Sequence, residues 1–161
     1  MPFLPRTHEI PQGVDHVSFR IRPITVHDVV KDYEAVMANV GLLRGRFPLW
    51  GWPKDGLTLE EDLIDLAWHQ KEALLRNSFN YAIMTPDESR LLGCVYVDPP
   101  EKLGADADVS FWVRADQEEP GLEEEVERVV RRWIAEAWPY ESVRWPGRDL
   151  SWKEWDALPD A

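Results

Sequence analysis

Residues Asp106 to Ile134 read DADVSFWVRADQEEPGLEEEVERVVRRWI, and this stretch decides the fold. In its first part Val109, Phe111 and Val113 alternate with Asp108, Ser110, Trp112 and Arg114. Such alternation puts the two sets on opposite faces of a strand. After Pro120-Gly121, apolar residues fall at Leu122, Val126, Val129, Val130, Trp133 and Ile134. Their spacing lays one apolar stripe along a helix. A strand therefore feeds a loop that ends at a helix N-terminus. Unpaired backbone amides converge there, which makes such a junction able to hold phosphates. Any active site in this chain is expected at this place.

Outward from that stretch the pattern keeps alternating between strand and helix. Val17 to Pro23 reads as a strand that Pro23 ends, since proline cannot donate to a ladder. Thr25 to Val40 reads as one helix, opened by a Thr25/Asp28 capping box and stopped by Gly41. Its expected apolar stripe is Val26, Val29, Val30, Tyr33, Val36, Met37 and Val40. An aromatic loop follows, Phe47-Pro48-Leu49-Trp50-Gly51-Trp52-Pro53, and then a second helix from Thr58 to Arg76 with Glu61 at its capping position. Glu61, Asp65 and His69 share a face of that helix. This stripe is read as a solvated polar face and no metal site is assigned, because a metal site needs further strong ligands from elsewhere. Phe79 to Met84 and Arg90 to Asp98 form a hairpin across Pro86-Asp87-Glu88-Ser89. Ser142 to Trp145 is a last short strand.

The expected class is α+β: a mixed, mostly antiparallel sheet of about five strands flanked by three main helices. One domain spans residues 1–161, with 1–16 as an extended arm and 146–161 as a short C-terminal segment. That segment has room for one short helix through Trp152 and Trp155. The edge at the last strand, around Val143 and Trp145, is covered by this segment or by a second subunit of a homodimer, because open edges are rarely left bare.

Composition narrows the function. The net charge of −12 argues against a nucleic-acid partner, whose phosphates need clustered Lys and Arg. It suits a cationic amine as well as it suits a plain acidic surface. Cys94 is the only cysteine and sits in an apolar run, so it is expected to be a buried, inert thiol. No apolar run approaches the roughly 18 residues of a membrane span, and the N-terminus lacks a basic start before an apolar core. The chain is expected in the cytoplasm.

Three stretches carry a family resemblance. Phe19-Arg20-Ile21-Arg22-Pro23-Ile24-Thr25-Val26-His27-Asp28, then Tyr81-Ala82-Ile83-Met84 with Arg90-Leu91-Leu92-Gly93-Cys94-Val95, then Phe111-Trp112-Val113-Arg114 with Gly121-Leu122, occur in that order. Together they resemble the GCN5-related N-acetyltransferases, especially their ribosomal-protein-acetyltransferase-like branch, over residues 17–145. The resemblance implies transfer of an acyl group from acetyl-CoA or another acyl-CoA to a small-molecule or peptide amine. It implies that Phe111, Trp112 and Val113 carry the pantetheine arm on their backbone, and that Gly121 and Leu122 open the phosphate-binding helix. Asp108 is the implied base, and the Trp50/Trp52 loop lies beside the implied acceptor cleft. The family's tyrosine acid has no counterpart, so Tyr140 receives no role.

The loop before the helix departs from the family. Glu118 stands where a Gln or Arg is usual, and Glu123 stands where a small residue is usual. Two like charges about 4 Å apart at an effective dielectric near 20 repel by about 4 kcal/mol, half of the ~8 kcal/mol in a micromolar affinity. Weakened acyl-CoA binding is therefore expected. The alternative is a member that keeps the fold as a binding or assembly module and does not use acetyl-CoA.

Overall fold

The computed structural model describes residues 1–161 and contains a six-stranded sheet whose strands lie in chain order. Strands β1 (Val14–Asp15), β2 (Arg20–Pro23), β3 (Phe79–Met84), β4 (Leu91–Asp98) and β5 (Ala107–Val113) are antiparallel neighbours. Strand β6 (Val143–Arg144) pairs parallel with β5. Helices α1 (Val29–Ala38), α2 (Val40–Arg46) and α3 (Leu59–Leu75) cover one face; α4 (Leu122–Ala137) covers the other, and α5 (Trp152–Asp156) closes the chain. This is the expected α+β architecture, with one strand more than anticipated.

Alternation along β5 separates two cores. Val109, Phe111 and Val113 join the buried stripe of α4, whose Leu122, Val126, Val129, Val130, Trp133 and Ile134 are all buried. Trp112 joins Cys94, Ala82 and Met84 under α1 to α3. Fully burying a side chain of this size contributes about 1.5–3 kcal/mol, so the α4 stripe is a main source of stability.

The expected single helix from Thr25 to Val40 is divided. A 3-10 turn, Val26–Asp28, carries the Thr25/Asp28 capping box, and Asn39 breaks the chain between α1 and α2. The physical cause is tertiary. Asn39 donates to Ala35 O at 2.8 Å and to Asp116 at 3.2 Å, while its Oδ1 accepts the Ala115 N–H at 2.9 Å. Gly41 therefore lies inside α2 and stops nothing. The apolar stripe is also narrower than expected: Val30 and Met37 face solvent, and the buried positions are Asp32, Ala35 and Val36.

The N-terminal arm is bound to its own domain. Leu4 is fully buried, Phe3 stacks on Tyr140, and the Tyr81 hydroxyl donates to Pro11 O. The arm ends in β1, which makes Val17 an exposed turn residue and shortens the expected Val17–Pro23 strand to Arg20–Pro23. The loop after β5 is pinned as well. Arg114 is buried, donating to Glu34, to Asp116 and to Leu91 O at 2.7–3.0 Å. No helix is long and apolar enough to cross a membrane.

Candidate active site

The Arg114 N–H donates to Leu92 O at 2.8 Å, which fixes the phase of the β4–β5 ladder. In an antiparallel pair the hydrogen-bonding direction alternates, so Phe111 and Val113 turn their N–H and C=O away from β4. Strand β6 accompanies β5 only at Ala107 and Asp108. Beyond Asp108, β5 has no strand partner on this side, because β6 ends at Arg144. The outward-facing backbone of Phe111 and Val113 thus borders a gap beyond the end of β6, followed by the N-terminus of α4.

The C-terminal segment lies along that gap. A tight turn, in which Gly147 N–H donates to Leu150 O and Arg148 N–H to Trp145 O, directs Arg148 back over β5. Its guanidinium rests on the Phe111 ring, 3.6 Å from the centroid, and donates to Glu127 at 2.7 Å and Glu123 at 3.1 Å. Arg46 donates to the same Glu123 oxygen at 2.6 Å. Trp152 Nε1 donates to Arg46 O, and Trp155 Nε1 donates to Asp108. One end of α2, the first turns of α4 and the C-terminal segment are therefore joined around one carboxylate.

Gly121 caps α4 in the left-handed region, φ 76°, and a Cβ there would meet nothing within 4 Å. Conformation requires this glycine, and the space beside it is open. Leu122 is buried in the core, so only its backbone faces the loop. The acidic residues divide by partner. Glu123 has Arg46 and Arg148, Glu125 has His16 and Arg128, and Glu119 accepts from Ser18. Glu123 thus departs from the like-charge expectation, because two arginines already compensate it. Arg46 and the open side of Gly121 fit the phosphates of an acyl-CoA, and the outward amides of Phe111 and Val113 fit its arm, once Arg148 leaves the Phe111 ring.

Asp108 is well held. Arg144 donates to both of its oxygens, at 2.6 and 3.1 Å, and Trp155 adds a third bond at 3.2 Å. Three of about four acceptor positions on this carboxylate are occupied by protein donors. Directly opposite on β4 stands Asp98, whose side chain has no ion pair or hydrogen bond from the protein. Burial, with Asp108 and Glu101 adding negative charge and His69 pulling the other way, pushes Asp98 up to about 7. A carboxyl poised near neutrality is suited to taking a proton. Sequence reasoning missed Asp98; its signal is the one charged residue closing the apolar run Leu91 to Val97, ahead of Pro99-Pro100.

Two cavities share Asp98. The smaller, about 240 Å³, lies beside β5 near the end of β6, among Asp98, Asp108, Ser110, Pro146, Trp152 and Trp155. The larger, about 650 Å³, opens between α3, β4 and the aromatic loop. Trp50 borders both, stacked on Phe47 at 4.1 Å and edge-on to Tyr96 at 5.2 Å. Of the polar stripe on α3, Glu61 turns to Thr58 and Lys54, while Asp65 and His69, 3.4 Å apart, line the larger cavity.

Beneath the cavities, Cys94 is buried and its thiol donates to Asp32 at 3.7 Å. Asp32 lies beside the fully buried Asp62, whose two oxygens find no donor among the other groups. Burial, then the charge of Asp62, pushes Asp32 far above the carboxylate range, and burial raises Asp62 too. A proton held on Asp32 would offer Asp62 the donor that it lacks.

No family model matches the chain, and no curated protein matches it by sequence. Solved structures do match. A ribosomal-protein-S5-alanine acetyltransferase from Vibrio fischeri superimposes with a TM-score of 0.61 at 16% identity, over 78% of this chain and 68% of that one. RimL, a ribosomal L7/L12 alpha-N-protein acetyltransferase, gives 0.60 at 15%, over 82% and 69%. The microcin C7 self immunity acetyltransferase MccE, solved with acetyl-CoA and AMP, gives 0.60 at 11%, over 80% and 70%. The likeness is one of fold, and it agrees with the resemblance carried by the three sequence stretches.

Proposed function

We propose that this chain, which has the fold of the GCN5-related N-acetyltransferases, is an N-acyltransferase that moves an acyl group from an acyl-CoA to an amine. One observation carries the reading: Asp98 stands in the common wall of the smaller cavity, near the end of β6, and the larger cavity beside it. An acyl-CoA, when bound, supplies a thioester activated toward amines. Phe111 and Val113 offer outward N–H groups to orient it, and Gly121 leaves room at the α4 N-terminus. Asp98 accepts the proton that the attacking amine loses. Asp108, tied to Arg144 and Trp155, holds the C-terminal segment against β5 and so positions that wall.

The test is release of free CoA from acetyl-CoA with a panel of amines, alongside thermal shifts with acetyl-CoA and longer acyl-CoAs. A ligand at 100 times its Kd stabilises the fold by about 2.7 kcal/mol. Because the base must be unprotonated, the rate is expected to rise with pH through about 7, and Asp98→Asn is expected to remove most of it. Absence of any shift, in the wild type and in Arg148→Ala alike, would overturn the reading.

A second reading has its own support. The contact of Arg148 with Phe111 and the double pairing of Glu123 fill the gap with the chain's own groups. A binding module that does not use acyl-CoA needs nothing more. It is favoured if amines bind and acyl-CoA never does.

A further inference from the structure

The larger cavity has a composition that the fold alone does not require. Trp50, Trp52, Trp68 and Tyr96 supply aromatic surface, and Asp65 and Asp98 are among the carboxylates around it. No lysine or arginine lines it. Trp50 and Trp68 are 41% and 49% exposed, so a large share of two indoles faces open space beside charged oxygens. A volume near 650 Å³ lies within the range of small-molecule sites.

Physical chemistry limits what such a cavity favours. Anions meet repulsion from the carboxylates, with only His69 available to offset it. A neutral apolar molecule gains from the indoles but leaves the carboxylates without a counter-charge. An organic cation satisfies both, since a ring face attracts positive charge and Asp98 has no protein partner. Asp98 and Tyr96 point to the same side of β4, two residues apart, so carboxylate and ring stand together. The Tyr96 hydroxyl accepts from Trp112 Nε1 at 3.1 Å, which holds the ring in place.

We infer that the cavity between α3, β4 and the aromatic loop binds a small organic ammonium ion, its charge against Asp98 and its apolar body on Trp50 and Trp68. If the acyl-transfer reading holds, this deepens it by naming the acceptor as an alkyl or arylalkyl amine that enters as its cation. The binding site itself does not depend on that reading, and its test uses no acyl-CoA.

The experiment is calorimetric titration of the full chain with three matched probes: phenethylamine, its trimethylammonium analogue and the neutral 2-phenylethanol. Both cations are expected to bind, with the neutral probe at least about tenfold weaker. Asp98→Asn is expected to weaken phenethylamine about tenfold, and Trp50→Leu and Trp68→Leu about three- to tenfold each. Val30→Thr, on the exposed face of α1 and away from the cavity lining, serves as the control and leaves binding unchanged. Circular dichroism and melting curves establish that each variant is folded. Should Asp98→Asn fail to fold, raising the salt concentration in the wild type reads the same charge contribution, as weaker binding of both cations only. Equal affinity for the neutral probe, unchanged affinity in folded Asp98→Asn, or no binding of either cation at millimolar concentration would overturn the inference. If cations bind and acyl-CoA does not, the site stands and the transferase reading falls.

Discussion

The guanidinium of Arg148 lies on the face of Phe111, 3.6 Å from the ring centroid, and so places the C-terminal segment over the outer edge of β5. No strand pairs with that edge beyond Asp108, yet every residue of β5 is buried. An arginine side chain thus covers part of what a strand would otherwise cover. A side chain, unlike a strand, can leave without breaking a ladder. Arg148→Ala is expected to strengthen acyl-CoA binding, read as a larger thermal shift at equal ligand. Its cost without ligand is about 1–2 kcal/mol from the ring contact and two partly exposed ion pairs. For a domain of this length that is roughly 2–8 °C in Tm. A weaker shift in the variant would show that Arg148 belongs to the ligand site and does not block it.

Glu123 and Glu118 are expected to behave differently, although both stand in the acidic loop. Glu123 is shared by Arg46 and Arg148, so Glu123→Ala releases two guanidiniums beside the α4 N-terminus. Glu118 has no ion pair, and Glu118→Gln only removes an exposed charge. The measurement is the salt dependence of CoA binding in each variant. Glu123→Ala should bind more tightly and lose affinity more steeply with salt, while Glu118→Gln should stay near the wild type. Equal effects would mean that net charge matters and pairing does not.

What the sequence showed and what it hid follow from the range of the forces involved. The α4 stripe and the alternation of β5 were readable because periodicity is local and the burial of Val126, Val130 and Ile134 follows it directly. The break at Asn39 was not, because its cause is a hydrogen bond to Ala115, 76 residues away. Likewise, Val30 looks like a core residue by spacing and is exposed, while Asp32 looks like a surface residue and is buried. At the candidate site, motif order singled out Phe111 and Gly121, whereas the positions of Asp98 and Arg148 are set by β4–β5 register and by the path of the C-terminal segment, which no local pattern encodes.

The Asp32–Asp62 pair makes stability depend on pH in a known direction. Both carboxyls are raised above their unfolded value, near 3.9 for aspartate, by burial. Between that value and the folded one, the native state keeps a proton that the unfolded chain has released. Stability therefore falls as pH rises from about 4, and levels off once the pair has lost its proton. Asp62→Asn supplies a permanent N–H donor to Asp32 and removes one titration. Urea unfolding is expected to show little difference from wild type near about pH 4.5 and a more stable variant near about pH 8. Parallel curves at the two pH values would refute a shared proton.

Asp98 and Asp108 face each other across β4 and β5, and their substitutions should separate chemistry from architecture. Asp108 and Arg144 have side chains only 11% exposed and share two hydrogen bonds. Arg144→Met leaves Asp108 with the Trp155 N–H alone, and breaking a buried pair from one side costs about 3–5 kcal/mol. Asp108→Asn keeps an acceptor for Trp155 but leaves the Arg144 charge without its partner, which also lowers Tm. Adding Asp108→Asn to Arg144→Met should recover part of the loss, because the unpaired carboxylate is then gone. Throughout this series amine acylation should stay pH-dependent through Asp98, with the midpoint moving below about 7 wherever Asp108→Asn removes a negative charge that raises Asp98. Asp98→Asn should show the opposite pattern, with Tm held or raised by removal of a half-buried, unpaired carboxyl and the pH-dependent rate lost. If Asp108→Asn removes the pH dependence while Asp98→Asn leaves it, the base is Asp108, and its bond to Arg144 must open during turnover.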